Sequence, residues 1–135
     1  MEQHVKSSNG FTILEVLVAL FLFSFILLGT LGIFLKTYDY SLKNELRNQA
    51  VKIAQEELEK YRNMDFNSIL SESTTCSSSM DKVERQVRNE NFVFIVARNI
   101  TEEVPDSVKK IEITICWNVK GKEYNYTATT LITPF

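Results

Sequence analysis

The hydrophobic pattern of the first half of the chain predicts one long helix whose two halves have different surfaces. Residues 16–35 contain no charged side chain, and about twenty apolar residues make a helix of roughly 30 Å, which is enough to cross a bilayer. Beyond them, apolar residues recur at spacings of three and four: Tyr38, Leu42, Leu46, Ala50, Ile53, Ala54, Leu58 and Tyr61. We therefore predict that residues 11–35 need lipid or protein on every side, and that residues 36–62 form the amphipathic half of the same helix.

The second half of the chain predicts a loop and then an antiparallel sheet. Residues 63–81 are rich in Ser and Thr, whose side chains compete with regular backbone bonding and favour loops. Residues 82–135 alternate between apolar and polar positions, and Pro105 and Gly121 mark turns. The predicted strands are residues 92–100, 111–119 and 123–132, with a weaker alternation at residues 83–87. Three or four strands with one apolar face need a cover, so we predict an α+β fold in which the amphipathic half of the helix packs on the sheet.

Composition and charge argue against several classes of function. The chain has 135 residues, enough for one small domain besides the span, and its 15 Lys and Arg are interspersed with 17 Asp and Glu. This is not the basic patch or stripe that binds nucleic acid. The single His is His4, and the chain has two cysteines, so residues 11–135 lack the side chains for a Ser-His-Asp triad, a Cys-His pair or a zinc site. We expect no enzyme activity and no catalytic, cofactor or metal site.

The residues that lead into the apolar run set it apart from an ordinary span. Glu15 places a carboxylate at the start of this run. A carboxylate in such a position is costly unless it lies near the membrane interface or has a partner. A short polar leader ends at Gly10, and Phe11 follows it directly. This arrangement resembles the processing site of type IV prepilins and pseudopilins. The resemblance implies that residues 1–10 are a leader peptide, that a membrane-embedded peptidase cuts between Gly10 and Phe11, that Phe11 is then N-methylated, and that Glu15 acts in filament assembly.

The rest of the chain carries a second resemblance to the same family. Residues 92–132 are similar to minor pilins of the V type, which implies a pilin-like fold and a subunit that enters a type IV pilus or primes its assembly. The implied partners are other pilin or pseudopilin subunits, prepilin peptidase, and the inner membrane with its assembly platform. The charge pattern disfavours nucleic acid as a partner without excluding it.

The resemblance also implies a location. The chain would pass once through the cytoplasmic (inner) membrane with its C-terminal domain outside, and would then enter an extracellular or periplasmic filament. Charge alone does not set this orientation, because Lys6 on one side of the span faces Lys36 and Lys43 on the other. With the C-terminal domain outside, Cys76 and Cys116 can form a disulfide, which would contribute roughly 3–4 kcal/mol on the chain-entropy model. Two free thiols are the alternative.

Other interpretations stay open at this point. Within the same superfamily, the chain fits a minor pseudopilin of a type II secretion or competence system. In another class, it fits a single-span membrane protein with a small binding ectodomain, which would need no cut before the span. Glu15 would then be a first-turn residue at the membrane interface with no partner. Gly29 and Gly32 fit either a close helix–helix contact or a flexible joint.

Overall fold

The computed structural model describes residues 10–79 and 81–134. Helix α1 spans Ile13–Arg62 and is followed by a short 3₁₀ helix, Phe66–Ser68. The strands are β1 (Lys82–Val87), β2 (Glu90–Val104), β3 (Val108–Val119) and β4 (Lys122–Ile132). The predicted α+β, pilin-like fold, with a long N-terminal helix and an antiparallel sheet, is confirmed. The chain divides into an N-terminal unit, Met1–Ser41, and a C-terminal unit, Leu42–Phe135.

The part of α1 in the N-terminal unit is apolar and exposed. The large apolar side chains of residues 13–35 are all at least 48% exposed. Two hydroxyl groups in this stretch donate to carbonyl oxygens of the preceding turn: Ser24 to Leu20 at 2.8 Å, and Thr30 to Leu27 at 2.9 Å. Because these hydroxyls have partners inside the helix, this surface can face lipid without leaving them unbonded. Within the described residues, α1 is the one helix long and apolar enough to cross a membrane.

The core of the C-terminal unit lies between one face of α1 and one face of the sheet. The buried apolar residues of α1 follow the spacing of three and four that the sequence predicted: Leu42, Leu46, Ala50, Ile53, Ala54 and Leu58. The strands bury a facing set of apolar side chains: Val87, Phe94, Val96, Ile100, Ile111, Ile113, Ile115, Trp117 and Val119. Because successive side chains of a strand point to opposite faces, the sheet offers one apolar face, and the amphipathic half of α1 covers it.

The sheet is an antiparallel meander with the strand order β1-β2-β3-β4. Lys120 and Gly121 both have positive φ, 52° and 81°, which is the backbone of a two-residue type I′ turn between β3 and β4. Arg88 and Asn89, with φ of 50° and 65°, make the same kind of turn between β1 and β2. The sequence predicted the first turn and missed the second, because the second has no Gly and a non-Gly residue at positive φ is uncommon.

The Ser/Thr-rich segment, residues 63–81, is bonded to the sheet. Before the start of β1, its backbone pairs with the edge of β2. The N–H of Ile100 donates to the carbonyl oxygen of Glu72 at 2.7 Å, and the N–H of Thr74 donates to the carbonyl oxygen of Arg98 at 2.7 Å. The segment therefore covers the β2 edge between the part paired with β1 and Ile100.

Two side-chain links hold the same segment in place. Cys76 and Cys116 form a disulfide with their Cα atoms 6.1 Å apart, so the bridge is present and the alternative of two free thiols does not apply to this structure. Near the start of the segment, the buried ammonium group of Lys109 donates to the carbonyl oxygens of Phe66 at 2.9 Å and Ile69 at 2.7 Å. One end of the segment is thus fixed by a covalent bond and the other by a charged hydrogen-bond donor.

Candidate functional site

The first turn of α1 is fixed by a threonine that the sequence analysis did not single out. Thr12 precedes the first helical residue, and its Oγ1 accepts a hydrogen bond from the backbone N–H of Glu15 at 3.3 Å. Its carbonyl oxygen accepts from the N–H of Glu15 at 3.1 Å and from the N–H of Val16 at 3.2 Å. Thr12 is therefore the N-cap of α1. The Thr-x-x-Glu spacing is the sequence signal that could have identified it.

Gly10 and Phe11 lie just outside the helix, in the exposed chain before the cap. The side chain of Phe11 is 82% exposed. A peptidase needs an accessible, non-helical backbone at the bond that it cuts, and a residue without a side chain before that bond suits a narrow pocket. The bond between Gly10 and Phe11 has both properties. The rest of the predicted leader, residues 1–9, lies outside the described residues.

Glu15 is the acidic residue of the first helical turn. Its side chain is exposed, and within residues 10–79 and 81–134 its carboxylate forms no hydrogen bond or ion pair. The partial positive charge at a helix N-terminus favours an anion here, but that effect is worth only about 0.3–1 kcal/mol at an exposed site. A carboxylate carried into an apolar environment needs a stronger partner than this.

An open apolar groove lies beside Glu15 on the surface of α1. It has a volume of about 480 Å³ and is lined by Phe11, Glu15, Val16, Ala19, Leu20 and Phe23. Apart from the Glu15 carboxylate, the side chains that line it are hydrocarbon. Such a groove can receive the apolar surface of another helix, with the carboxylate placed to meet a cation on that helix.

A second polar cluster, in the C-terminal unit, joins α1 to the sheet. The carboxylate of Glu57, a residue only 7% exposed, accepts hydrogen bonds from Arg98 at 2.9 Å and from Lys60. Burial acts to raise the pKa of Glu57, but the hydrogen bonds from Lys60 and Arg98 outweigh burial and lower its pKa below the ordinary value. Burial also opposes the charge on Arg98, yet its bonds to Asp81 and Glu57 raise its pKa. Glu57 and Arg98 are thus both charged at neutral pH and hold the two elements together.

Comparison with known proteins bears on the first turn of α1. Residues 5–31 match the model of a family described as Prokaryotic N-terminal methylation motif. This match supports a type IV pilin-like or pseudopilin precursor, and a structural subunit rather than an enzyme. The motif implies processing by prepilin peptidase and association with other pilin subunits, and together with the apolar helix it fits a membrane-anchored pilin. No curated protein and no solved structure gave a match.

The predicted site residues fall into two separate groups. Gly10, Phe11 and Glu15 lie at or next to the first turn of α1, inside the matched motif. Cys76 and Cys116 lie in the C-terminal unit and form a disulfide. The second group links the Ser/Thr-rich segment to β3.

Proposed function

We propose that this chain is the precursor of a minor pilin-like subunit that is assembled into a type IV pilus or primes its assembly. Prepilin peptidase cuts between Gly10 and Phe11 and methylates Phe11, and Glu15 directs the subunit into the filament. The observation that carries the proposal is the first turn of α1. There, an exposed carboxylate without a partner in the described chain lies inside the methylation motif at residues 5–31.

Before assembly, the N-terminal unit is stored in the membrane. The exposed apolar surface of residues 13–35 is far larger than a soluble chain would leave to water, and lipid is its natural cover. Ser24 and Thr30 bond inside the helix and add no cost in this environment. Glu15 lies near the N-terminal end of the apolar run, so its carboxylate can stay at the interface between membrane and water.

Assembly exchanges lipid for the helices of neighbouring subunits. Cleavage frees the α-amino group of Phe11, which is mostly protonated at neutral pH, and N-methylation keeps its charge. This new cation stands at the positive end of the helix dipole, where it is unfavourable unless an anion is close. When the Glu15 carboxylate of a neighbouring subunit meets this ammonium group, their attraction offsets the cost of removing both charges from water. Because only one axial offset brings the two groups together, the pair sets the register between adjacent helices.

The proposal predicts a selective defect when the Glu15 charge is removed. Glu15→Gln keeps the shape of the side chain and the backbone N–H that Thr12 caps, so the helix start should persist. We expect the variant to be cleaved and inserted in the membrane but to be depleted roughly tenfold from sheared filaments, since a lost ion pair of about 1.4 kcal/mol has that effect. The measurement is quantitative immunoblotting of membrane and filament fractions.

Glu84→Gln is the matched control, because it makes the same chemical change at an exposed site on β1 in the C-terminal unit. It should enter filaments as the wild-type chain does. Equal recovery of Glu15→Gln and wild type in the filament fraction would refute the role of the charge. Recovery of the wild-type chain in the membrane or periplasmic fraction alone would favour a pseudopilin over a pilus subunit.

A further inference from the structure

The two edges of the sheet differ in how they are protected. On one side, the edge strand β1 is six residues long and carries Lys82, Glu84 and Arg85, and the Ser/Thr-rich segment covers the β2 edge as far as Ile100. Short, charged or covered edges resist pairing with another strand. On the other side, β4 is 11 residues long, and residues 124–132 contain neither a charged residue nor a Pro. Beyond Glu123, these protective features are missing from the second edge.

The register of the sheet shows which backbone groups of β4 point outward. In a two-residue type I′ hairpin the closing pair, here Val119 and Lys122, is hydrogen-bonded, and the pairing alternates from there. The residues of β4 that turn their N–H and C=O groups away from β3 are Glu123, Asn125, Thr127, Thr129 and Leu131. No register shift interrupts the β3–β4 ladder, and among the described residues no strand pairs with this edge. The outward groups thus form a regularly spaced, uninterrupted row.

A groove lies between this edge and α1. It has a volume of about 440 Å³ and is lined by Gln55, Leu58, Glu59, Arg62, Tyr126 and Ala128. A strand added beside β4 would place every second side chain over the groove and the others on the outer face of the sheet. An edge strand next to such a groove can bind an extended peptide, because backbone hydrogen bonds give affinity and the groove selects alternate side chains.

We propose that the outward edge of β4 binds an extended, uncharged segment of another polypeptide as a fifth strand of the sheet. The edge residues 124–132 offer no charge to a donor, and the two charged residues of the groove, Glu59 and Arg62, have opposite signs. The groove therefore has no net charge that would attract a charged segment in preference to an uncharged one.

A different polypeptide fits this edge better than a second copy of the chain. Two β4 edges related by a two-fold axis close into a dimer and leave neither edge free. A filament subunit instead needs contacts that continue to the next subunit. This choice of donor rests on the proposed function, whereas the binding mode rests on the edge itself.

Site-specific photo-crosslinking in the full chain, expressed in its native membrane, tests the proposal. A photo-reactive residue replaces Asn125, whose side chain is exposed beside the outward edge, and mass spectrometry maps the crosslinked peptide. We expect an uncharged, extended segment of another polypeptide. Thr129→Pro removes one outward N–H, and we expect it to lower the crosslink yield roughly tenfold through the lost hydrogen bond and the bulk of the ring.

Thr129→Ala is the matched control, because it removes the hydroxyl group but keeps the outward N–H, and its yield should stay within about twofold of wild type. If Thr129→Pro fails to fold, Ala128→Lys replaces it, since a charged side chain in the groove should block the same segment while every N–H remains. The proposal is overturned by a crosslink to the chain's own β4, by a crosslink to a charged or helical segment, by no crosslink, or by equal yields in the blocking and control variants.

Determination of the N-terminus in the same sample separates the two claims. A methylated Phe11 terminus without a β4 crosslink would overturn this inference alone. A strand crosslink on a chain that keeps residues 1–10 would overturn the proposed function and leave the binding mode in place.

Discussion

The two buried charged residues of the C-terminal unit, Glu57 and Lys109, are each 7% exposed but are stabilised in different ways. Glu57 is paired with two cations, Lys60 and Arg98. Lys109 has one weak ion pair, with Glu102 at 3.8 Å, but it mainly donates to two backbone carbonyl oxygens and lies over the ring of Phe66, with Nζ 4.5 Å from the ring centroid. Among the described residues, no buried side-chain nitrogen or oxygen lacks a hydrogen-bond partner, as a stable core requires.

Replacement of Lys109 should show how strongly the Ser/Thr-rich segment is anchored. Lys109→Met keeps most of the apolar stem but leaves the carbonyl oxygens of Phe66 and Ile69 without their donor. We expect a loss of about 2–4 kcal/mol in the free energy of unfolding. Lys110→Met is the control, because Lys110 is the next residue and is more exposed than Lys109. It should change the free energy of unfolding by less than about 0.5 kcal/mol. Urea unfolding of the full chain in detergent, followed by Trp117 fluorescence, measures both; equal effects would contradict the anchoring role.

The Glu57 cluster predicts a loss of stability in acid. Because the pKa of Glu57 is lower in the folded chain than its ordinary value of 4.5, its contribution is complete above that value and is lost as pH falls through the lower folded pKa. Unfolding should therefore become easier as the pH falls below about 4.5. Glu57→Gln should weaken this pH dependence. Near neutral pH it should lower the free energy of unfolding by about 3 kcal/mol, which is at the low end for a broken buried ion pair because Arg98 keeps Asp81 as a partner. A variant with the same acid dependence as wild type would contradict this account.

At the scale of elements, the Ser/Thr-rich segment behaves as an irregular edge strand. The disulfide joins residues separated by 40 positions, which the chain-entropy model values at about 3–4 kcal/mol. We expect the double substitution of Cys76→Ser and Cys116→Ser to lower the free energy of unfolding by about this amount, and reductant to do the same to the wild-type chain. Thermal unfolding with and without reductant tests this; a wild-type chain indifferent to reductant would show that the bridge adds nothing.

The regular elements could be predicted where one local pattern decides them. The spacing of three and four through Leu46, Ala50 and Ile53 identified α1, and the strict alternation at residues 111–119 identified β3. The end of β2 was missed, because it was predicted at residue 100 and lies at Val104, beyond polar residues that have no apolar alternation. The edge pairing of the Ser/Thr-rich segment was also missed, since the bonds of Ile100 and Arg98 to that segment depend on tertiary packing.

At the scale of the whole molecule, the candidate site could be predicted from the sequence where its residues are close together along the chain. Gly10, Phe11 and Glu15 lie within six consecutive residues, so their proximity needs no tertiary information. Glu57 and Arg98 are 41 positions apart, and no local pattern indicates that they meet. Thr12 is a different case, because its capping position was readable from the sequence but was not used. The open edge of β4 needed the strand order of the folded sheet.

The mass of the N-terminal peptide of the mature protein tests the central claim most directly. We expect intact mass and tandem mass spectrometry of the protein purified from filaments to show a chain that begins at Phe11 with an added methyl group on its α-amino nitrogen. A chain that assembles while retaining residues 1–10, or one that begins elsewhere, would contradict the account, because the cation that Glu15 is proposed to meet, the free α-amino group of Phe11, would not exist.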